Sequence, residues 1–333
     1  MPIIDNIQIK QLDMELFGGC NYACAMCPQS TGREKEFLKS LPYNIFTKII
    51  DDARQYDLRV VSLHGSGEPT LHKKMPQCIE YVKNGGEQCY SFTNGYTLNK
   101  FLARNIISSG LDLLRLSAVG YDEESYSKWM EKGAFNIVRE NARKFVELNE
   151  KMNGNTELHF YHLITDNNNI EKELELYKKN WVDYIGGGKH EIWLMHNWAG
   201  TYDETPYHRE QLSLNKEKRT CGRPWAPILQ VRAGGLNKHH GAVVACCMVL
   251  GRDSEAVLGH LDDQTIEEVI KGTPYLKLQL AHNNKQFDII SYCKDCDQLY
   301  DIPESLIWSN IPGREYGKSK MLDMDIRKEF MKE

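Results

Sequence analysis

The sequence contains no apolar run near the roughly 18 residues that span a bilayer, so no membrane helix is expected. Its first residues, MPIIDNIQIKQLD, carry an acid early and lack the basic-then-apolar order of a secretory signal. Neither charge dominates. Lys and Arg total 41 against 46 Asp and Glu, a formal −5, which provides no general attraction to nucleic acid or an anionic membrane. There is no internal repeat, no low-complexity tract, no phosphate loop, no dinucleotide-binding glycine fingerprint and no basic–aromatic stripe. Disorder is excluded by the 41% of hydrophobic residues, enough to bury a core in a chain of 333 residues. What remains is read as a cytoplasmic protein of one large domain or two. Cysteine is abundant. The chain has 10, clustered at short spacings, and in a reducing compartment such clusters read as metal ligands rather than disulfides.

Along the first two-thirds the apolar period alternates between two and 3.6. Strands are expected at Ile7–Phe17, Leu58–Leu63, Gln88–Phe92, Leu113–Ala118, Glu157–Ile164 and Glu191–Met195. Helices are expected between them at Asn44–Gln55, Lys74–Asn84, Phe101–Ser109, Phe135–Lys151 and Ile170–Asn180. Six strands alternating with helices indicate parallel βα units and an α/β barrel, open or closed. After Asn197 the alternation stops. Asn197–Arg219 reads as a linker, followed by short strands at Ile228–Arg232 and Ala242–Leu250 and helices near Thr265–Lys271 and Pro274–Asn283. The expected organisation is a barrel domain over 1–215, a smaller domain over 216–310, and a helical tail over 311–333.

Cys20, Cys24 and Cys27 form a Cys-x3-Cys-x2-Cys run in the loop after the first strand. Three thiolates in one loop can converge on one soft metal centre. A structural zinc site wants four protein ligands, whereas a four-iron cluster with three leaves one iron open to a non-protein group. With Met26 before the third cysteine, this run resembles the signature of the radical S-adenosylmethionine (AdoMet) enzymes. The resemblance implies a partial (β/α)6 barrel and a [4Fe–4S] cluster on Cys20, Cys24 and Cys27 whose open iron chelates AdoMet. Reductive cleavage of AdoMet, fed by an external one-electron donor such as flavodoxin or ferredoxin, would then yield a 5′-deoxyadenosyl radical. It further implies that Met26 lies against the adenine. Gly67-Glu68-Pro69 matches the family's Gly-Gly-Glu-Pro motif, with Ser66 in place of the first glycine. Thr93-Asn94-Gly95 and Ser117 match AdoMet-contacting positions after the third strand and at the end of the fourth. These motifs recur in order at successive strand ends, where ligands of parallel α/β sheets sit.

In the last third, Cys221, the Gly241-x4-Cys246 strand and Cys293-x2-Cys296 resemble the auxiliary-cluster extension called SPASM, or its shorter relative called twitch. The resemblance implies a β-hairpin with short helices and a second [4Fe–4S] cluster on Cys221, Cys246, Cys293 and Cys296; the same four thiols could also hold structural zinc. No cysteine follows Cys296, so one auxiliary cluster is expected. Cys247 is left over, as a core residue, an alternative ligand or a hydrogen-atom donor. Cys78 and Cys89 are expected in the core. His162, His196, Asn197 and Trp198 fall near strand ends where substrate would sit, Arg223 and Trp225 follow Cys221, and His239-His240 is read as a solvated turn.

The reaction implied is hydrogen abstraction from a small molecule. The favoured form is dehydrogenation of a hydroxyl-bearing sugar-like or cyclitol-like substrate, with the auxiliary cluster accepting an electron, an arrangement similar to twitch-type dehydrogenases of aminoglycoside biosynthesis. The alternatives are an epimerase that uses Cys247 as hydrogen donor, and a peptide maturase. The short stretch before Cys20 leaves little room for a leader-binding domain, although a peptide substrate is not excluded. A non-enzymatic iron–sulfur or zinc scaffold would need none of the AdoMet motifs. Neither nucleic acid nor a membrane is expected as a partner.

Overall fold

The computed structural model describes residues 7–31, 35–200, 217–249, 254–300 and 305–315, with short stretches at 318–319, 321–322, 324–325 and 329. Six strands run parallel in consecutive spatial order: β1 (Gln11–Met14), β2 (Val60–Leu63), β3 (Gln88–Thr93), β4 (Leu113–Ser117), β5 (Glu157–Ile164) and β6 (Lys189–Leu194). Between them lie α1 (Tyr43–Ala53), α2 (Met75–Gly85), α3 (Lys100–Ser108), α4 (Glu123–Met130), α5 (Phe135–Lys151), α6 (Ile170–Tyr177) and α7 (Asp183–Ile185). The long α5 shows why these segments are helical. Phe135, Val138, Ala142, Phe145 and Leu148 repeat at helical spacing and are all buried. Beneath the helices the strands present Leu12, Val61, Leu63, Leu114, Leu116, Phe160, Ile192 and Leu194, which form the core.

The period-two alternation sends the other residues to the inner face of the sheet. Many of the side chains there are polar: Gln11 and Asp13 on β1, Ser62 on β2, Arg115 on β4, Tyr161 on β5 and Glu191 on β6. Their contacts run from strand to strand. Arg115 lies over the rings of Phe92 and Tyr161, at 5.4 and 4.3 Å from the centroids, and pairs with Glu191. At the N-terminal end of this face Val60, Tyr90 and Leu113 form an apolar patch with Met321 and Leu322 of the tail packed on it.

The second region joins the same sheet. β7 (Ile228–Gly234) pairs parallel with β1, and β8 (His240–Val244) and β9 (Val257–His260) extend the edge antiparallel. Behind them lie α8 (Ile266–Ile270), opened by a reciprocal Thr265–Glu268 capping box, and α9 (Thr273–Asn283). At the opposite edge β10 (Leu306–Ser309) pairs antiparallel with β6. Most of the expected linker Asn197–Arg219, and the boundary near 215, fall on 201–216, outside the described residues. The tail is described only in part. Its described part contains β11 (Lys318–Ser319) paired antiparallel with β12 (Met324–Asp325) and the helical residue Glu329, while most of the remaining tail, where a helix is expected, lies outside the described residues.

Candidate active site

The loop after β1 carries Cys20 at the surface and Cys24 and Cys27 half-buried, with Met26 buried between them. A Cys24 carbonyl to Cys27 N–H bond of 2.9 Å closes the turn that holds the second and third thiols. Burial pushes the Cys20 thiol up to about 11, with Glu68 and Cys27 adding to the rise. Cys24 is raised by burial and then by its neighbours Cys27 and Cys20. Three soft donors that oppose one another's ionisation suit a shared cationic centre, whose charge would hold them as thiolates.

Backbone contact fixes this loop against the turn after β2. Glu68 N–H donates to the Gly19 carbonyl at 2.8 Å. A Cβ on Gly67 would lie 1.9 Å from the Phe17 carbonyl oxygen, so this glycine permits the close approach. Glu68 is only 3% exposed. Its Oε1 accepts from Thr70 N–H (3.1 Å), Thr70 Oγ1 (2.6 Å) and Thr93 Oγ1 (2.9 Å), and its Oε2 accepts from Asn94 N–H (2.8 Å). Burial raises its pKa and these donors oppose the rise. The Asn94 amide donates to Asn21 Oδ1 at 2.7 Å and approaches Cys20 Sγ at 3.8 Å, while Gly95 holds a positive φ of 75°. Gly67, Glu68, Pro69, Thr93, Asn94 and Gly95 therefore adjoin the cysteine loop. Ser117 ends β4 on the inner face, half-buried.

The serine at position 66 has a partner that sequence reading missed. Glu15, 1% exposed, accepts at Oε2 from Ser66 N–H (2.6 Å), Ser66 Oγ (2.6 Å) and Gly67 N–H (3.3 Å), and at Oε1 from Ala233 N–H on β7 (3.2 Å). One buried carboxylate thus ties the Ser66–Gly67 turn to the C-terminal hairpin.

Cys221, Cys246, Cys293 and Cys296 line a single pocket with Arg223, His282 and Tyr292. Burial is the main cause raising each thiol; Cys246, pushed up to about 12, is raised further by Cys247 and Cys221. Four converging thiols are a complete soft donor set for a four-iron cluster. Their neighbour His282, also not anticipated, is 3% exposed on α9, with Nε2 3.5 Å from Cys293 Sγ and Nδ1 3.1 Å from Thr220 Oγ1. Trp225 meets the His282 ring edge-on at 6.3 Å. Cys247 lies outside the pocket lining. It is half-buried, and its backbone carbonyl accepts from Arg232 at 3.2 Å.

Other expected site residues are committed elsewhere. His162 is buried on the helix side of β5, bonded to the Ala118 carbonyl oxygen (2.8 Å) and Glu173 (2.8 Å), a core histidine. Asn197 binds Asp297 Oδ2 through its N–H (2.6 Å) and the Asp295 carbonyl through its amide (2.8 Å), linking the end of β6 to the last cysteine pair. The rings of His196 and Trp198 lie against each other at 3.8 Å, tilted by 46°. His239 is half-buried rather than solvated, bonded to Asp262 (3.1 Å) and stacked on His260. Cys78 and Cys89 are fully buried.

The model of the radical SAM superfamily matches residues 14–175, and that of an iron–sulfur cluster-binding domain, SPASM, matches residues 238–297. The chain belongs to the radical SAM superfamily. That membership brings a [4Fe–4S] cluster with AdoMet, and the SPASM-type domain brings additional iron–sulfur binding; the thiol sets above fit both in number and softness. A curated relative is the tungsten-containing aldehyde ferredoxin oxidoreductase cofactor-modifying protein of Pyrococcus furiosus, 31% identical over 110 residues, covering 33% of this chain and 30% of the relative. The matches span less than half the length of the first curated relatives. Among solved structures, BtrN in complex with AdoMet and 2-DOIA superposes with a TM-score of 0.57 at 15% identity, over 87% of this chain and 94% of that one. SuiB of Streptococcus suis bound to the precursor peptide SuiA gives 0.60 at 13% identity, over 82% and 67%. These likenesses establish a shared fold. Among the described residues no helix is long and apolar enough to cross a membrane.

Proposed function

We propose that the protein is a radical AdoMet oxidoreductase that dehydrogenates a hydroxyl-bearing, sugar-like or cyclitol-like small molecule. The observation that carries this reading is the pocket of four thiols, Cys221, Cys246, Cys293 and Cys296, in the region whose strands β7 to β9 extend the barrel sheet. Such a set would hold an electron acceptor next to bound substrate. Cys20, Cys24 and Cys27 are assigned to the first cluster, with Met26, Gly67, Glu68, Pro69, Thr93, Asn94, Gly95 and Ser117 shaping the AdoMet site. Glu68 Oε2 receives only the Asn94 N–H among the described hydrogen bonds, which leaves it able to accept from an ammonium group. When bound, the cluster and AdoMet supply a 5′-deoxyadenosyl radical that removes a hydrogen atom from substrate carbon. The chain's own residues hold the substrate, exclude water and take the hydroxyl proton. An external one-electron donor is part of this reading, and the barrel and auxiliary regions divide near residue 215.

Epimerisation is the second reading, favoured by Cys247 being a half-buried free thiol that follows Cys246 in the chain yet is not among the residues lining the four-thiol pocket. The two separate on Cys247→Ala in deuterated water. A dehydrogenase turns over normally and yields a ketone. An epimerase stalls, while its wild-type form places solvent deuterium on carbon.

A further inference from the structure

Asp13 on β1 is buried and accepts one amide N–H from Gln11 (2.6 Å) and one from Gln230 on β7 (2.5 Å). The carboxylate orients both amides nitrogen-inward. Gln11 Oε1 and Gln230 Oε1 are then buried without a hydrogen-bond partner among the described residues. Buried acceptors are almost always satisfied, so two orphans beside one carboxylate mark a place for ligand donors. Hydroxyl groups fit, since each can donate to an acceptor while accepting elsewhere.

His64, just beyond β2, stands over this group. Its Nδ1 is 2.9 Å from Ser62 Oγ, and its Nε2 faces Asp13 Oδ2 across 3.9 Å, too far for a hydrogen bond. The ring stacks on Phe92 at 4.2 Å, and 19% of the side chain remains exposed. Two residues further along the chain, Ser66 opens the turn assigned to AdoMet, while the apolar patch under Met321 and Leu322 lies at the opposite end of the inner face.

We propose that Gln11, Asp13 and Gln230 bind the hydroxyl groups of a neutral polyol, and that His64 Nε2 accepts the proton of the hydroxyl being oxidised. This rests on the dehydrogenase reading above. Converting CH–OH to C=O removes a hydrogen atom from carbon, taken by the 5′-deoxyadenosyl radical, then a proton and one electron. The proton goes to Nε2 and the electron to the oxidised auxiliary cluster. The charged groups facing His64 are Asp13 from β1, Arg232 from β7 and Arg115 from β4. Burial, aided by both arginines and opposed by Asp13, lowers the His64 pKa, so the ring is neutral at pH 7 and able to accept. Asp13 is the positioning residue, supplying the counter-charge once Nε2 is protonated.

The test uses the cluster-loaded full chain with myo-inositol and scyllo-inositol, measuring ketone and 5′-deoxyadenosine in the same anaerobic reaction. His64→Asn is expected to lower ketone formed per 5′-deoxyadenosine by about 100-fold. Asp13→Asn moves the acid limb of the pH profile to lower pH. In the oxidised protein, histidine ¹⁵N resonances, assigned by the His64→Asn variant, show His64 neutral at pH 7 and titrating lower still in Asp13→Asn. Wild-type ketone yield in His64→Asn, or a charged His64 at pH 7, overturns the assignment of His64 while the dehydrogenase reading stands. Absence of ketone from the wild-type protein with either inositol overturns the ligand class and with it the proposal.

Discussion

Ser66→Ala tests the most specific departure of this chain from its family motif. Ser66 Oγ donates to Glu15 Oε2 at 2.6 Å, and that carboxylate is 1% exposed. A hydrogen bond to a buried charge contributes about 1.5–3 kcal/mol. The carboxylate keeps its bonds from Ser66 N–H, Gly67 N–H and Ala233 N–H, so a loss near ~2 kcal/mol is expected rather than collapse. The assay is urea unfolding of the cluster-loaded protein, read as a lower midpoint at unchanged slope. Because Ser66 and Gly67 form the turn that aims Glu68, AdoMet binding should weaken as well, by up to about 30-fold if the whole loss falls on the bound state. Glu15→Gln should cost more, since it turns an acceptor into a donor facing backbone N–H groups. The double variant should cost less than the two singles summed. Stability within about 0.5 kcal/mol of wild type for Ser66→Ala, or strict additivity, would refute the coupling.

Three further outcomes follow from the geometry. Gly67→Ala should abolish AdoMet binding measured by equilibrium dialysis, because a Cβ there would sit 1.9 Å from the Phe17 carbonyl oxygen. Serine at any one of Cys221, Cys246, Cys293 or Cys296 should lower iron from about eight to about four per chain, whereas Cys247→Ser should leave it unchanged. Stability should fall as pH drops from 6.5 towards 4. Burial pushes His159 and His190 down to about 4, below the unfolded value of about 6.5, so the unfolded chain binds more protons in that window. Each multiplies the unfolding constant by up to about tenfold per pH unit, and urea midpoints for His190→Asn should show a shallower slope.

Strand β5 and helix α5 were legible in the sequence to the residue, because long periodic segments speak for themselves. Helix α4 was not. Its EESYSKWM face is poor in apolar residues, and only the Asp122–Ser125 capping box marked it. In the charged tail, Met321 and Leu322 pack on an apolar patch that is distant in sequence. Cys20, Cys24 and Cys27 stand out by their spacing within one loop, whereas Cys221, Cys246 and the Cys293–Cys296 pair come from separate segments that the fold brings to one pocket. Glu15, His64 and Gln230 could not be read, since their partners lie on neighbouring strands and only the sheet brings them together. His162 misled for a related reason: it lies one position out of register with Tyr161, so its side chain points to the helices.

The most direct test is anaerobic incubation of the iron-reconstituted protein with dithionite and AdoMet, with 5′-deoxyadenosine quantified. Wild type should form it, and variants in which Cys20, Cys24 or Cys27 is replaced by alanine should form none. Absence of 5′-deoxyadenosine from wild type carrying a full complement of iron, or its persistence in those variants, would contradict the assignment of the first loop as the AdoMet-cleaving site.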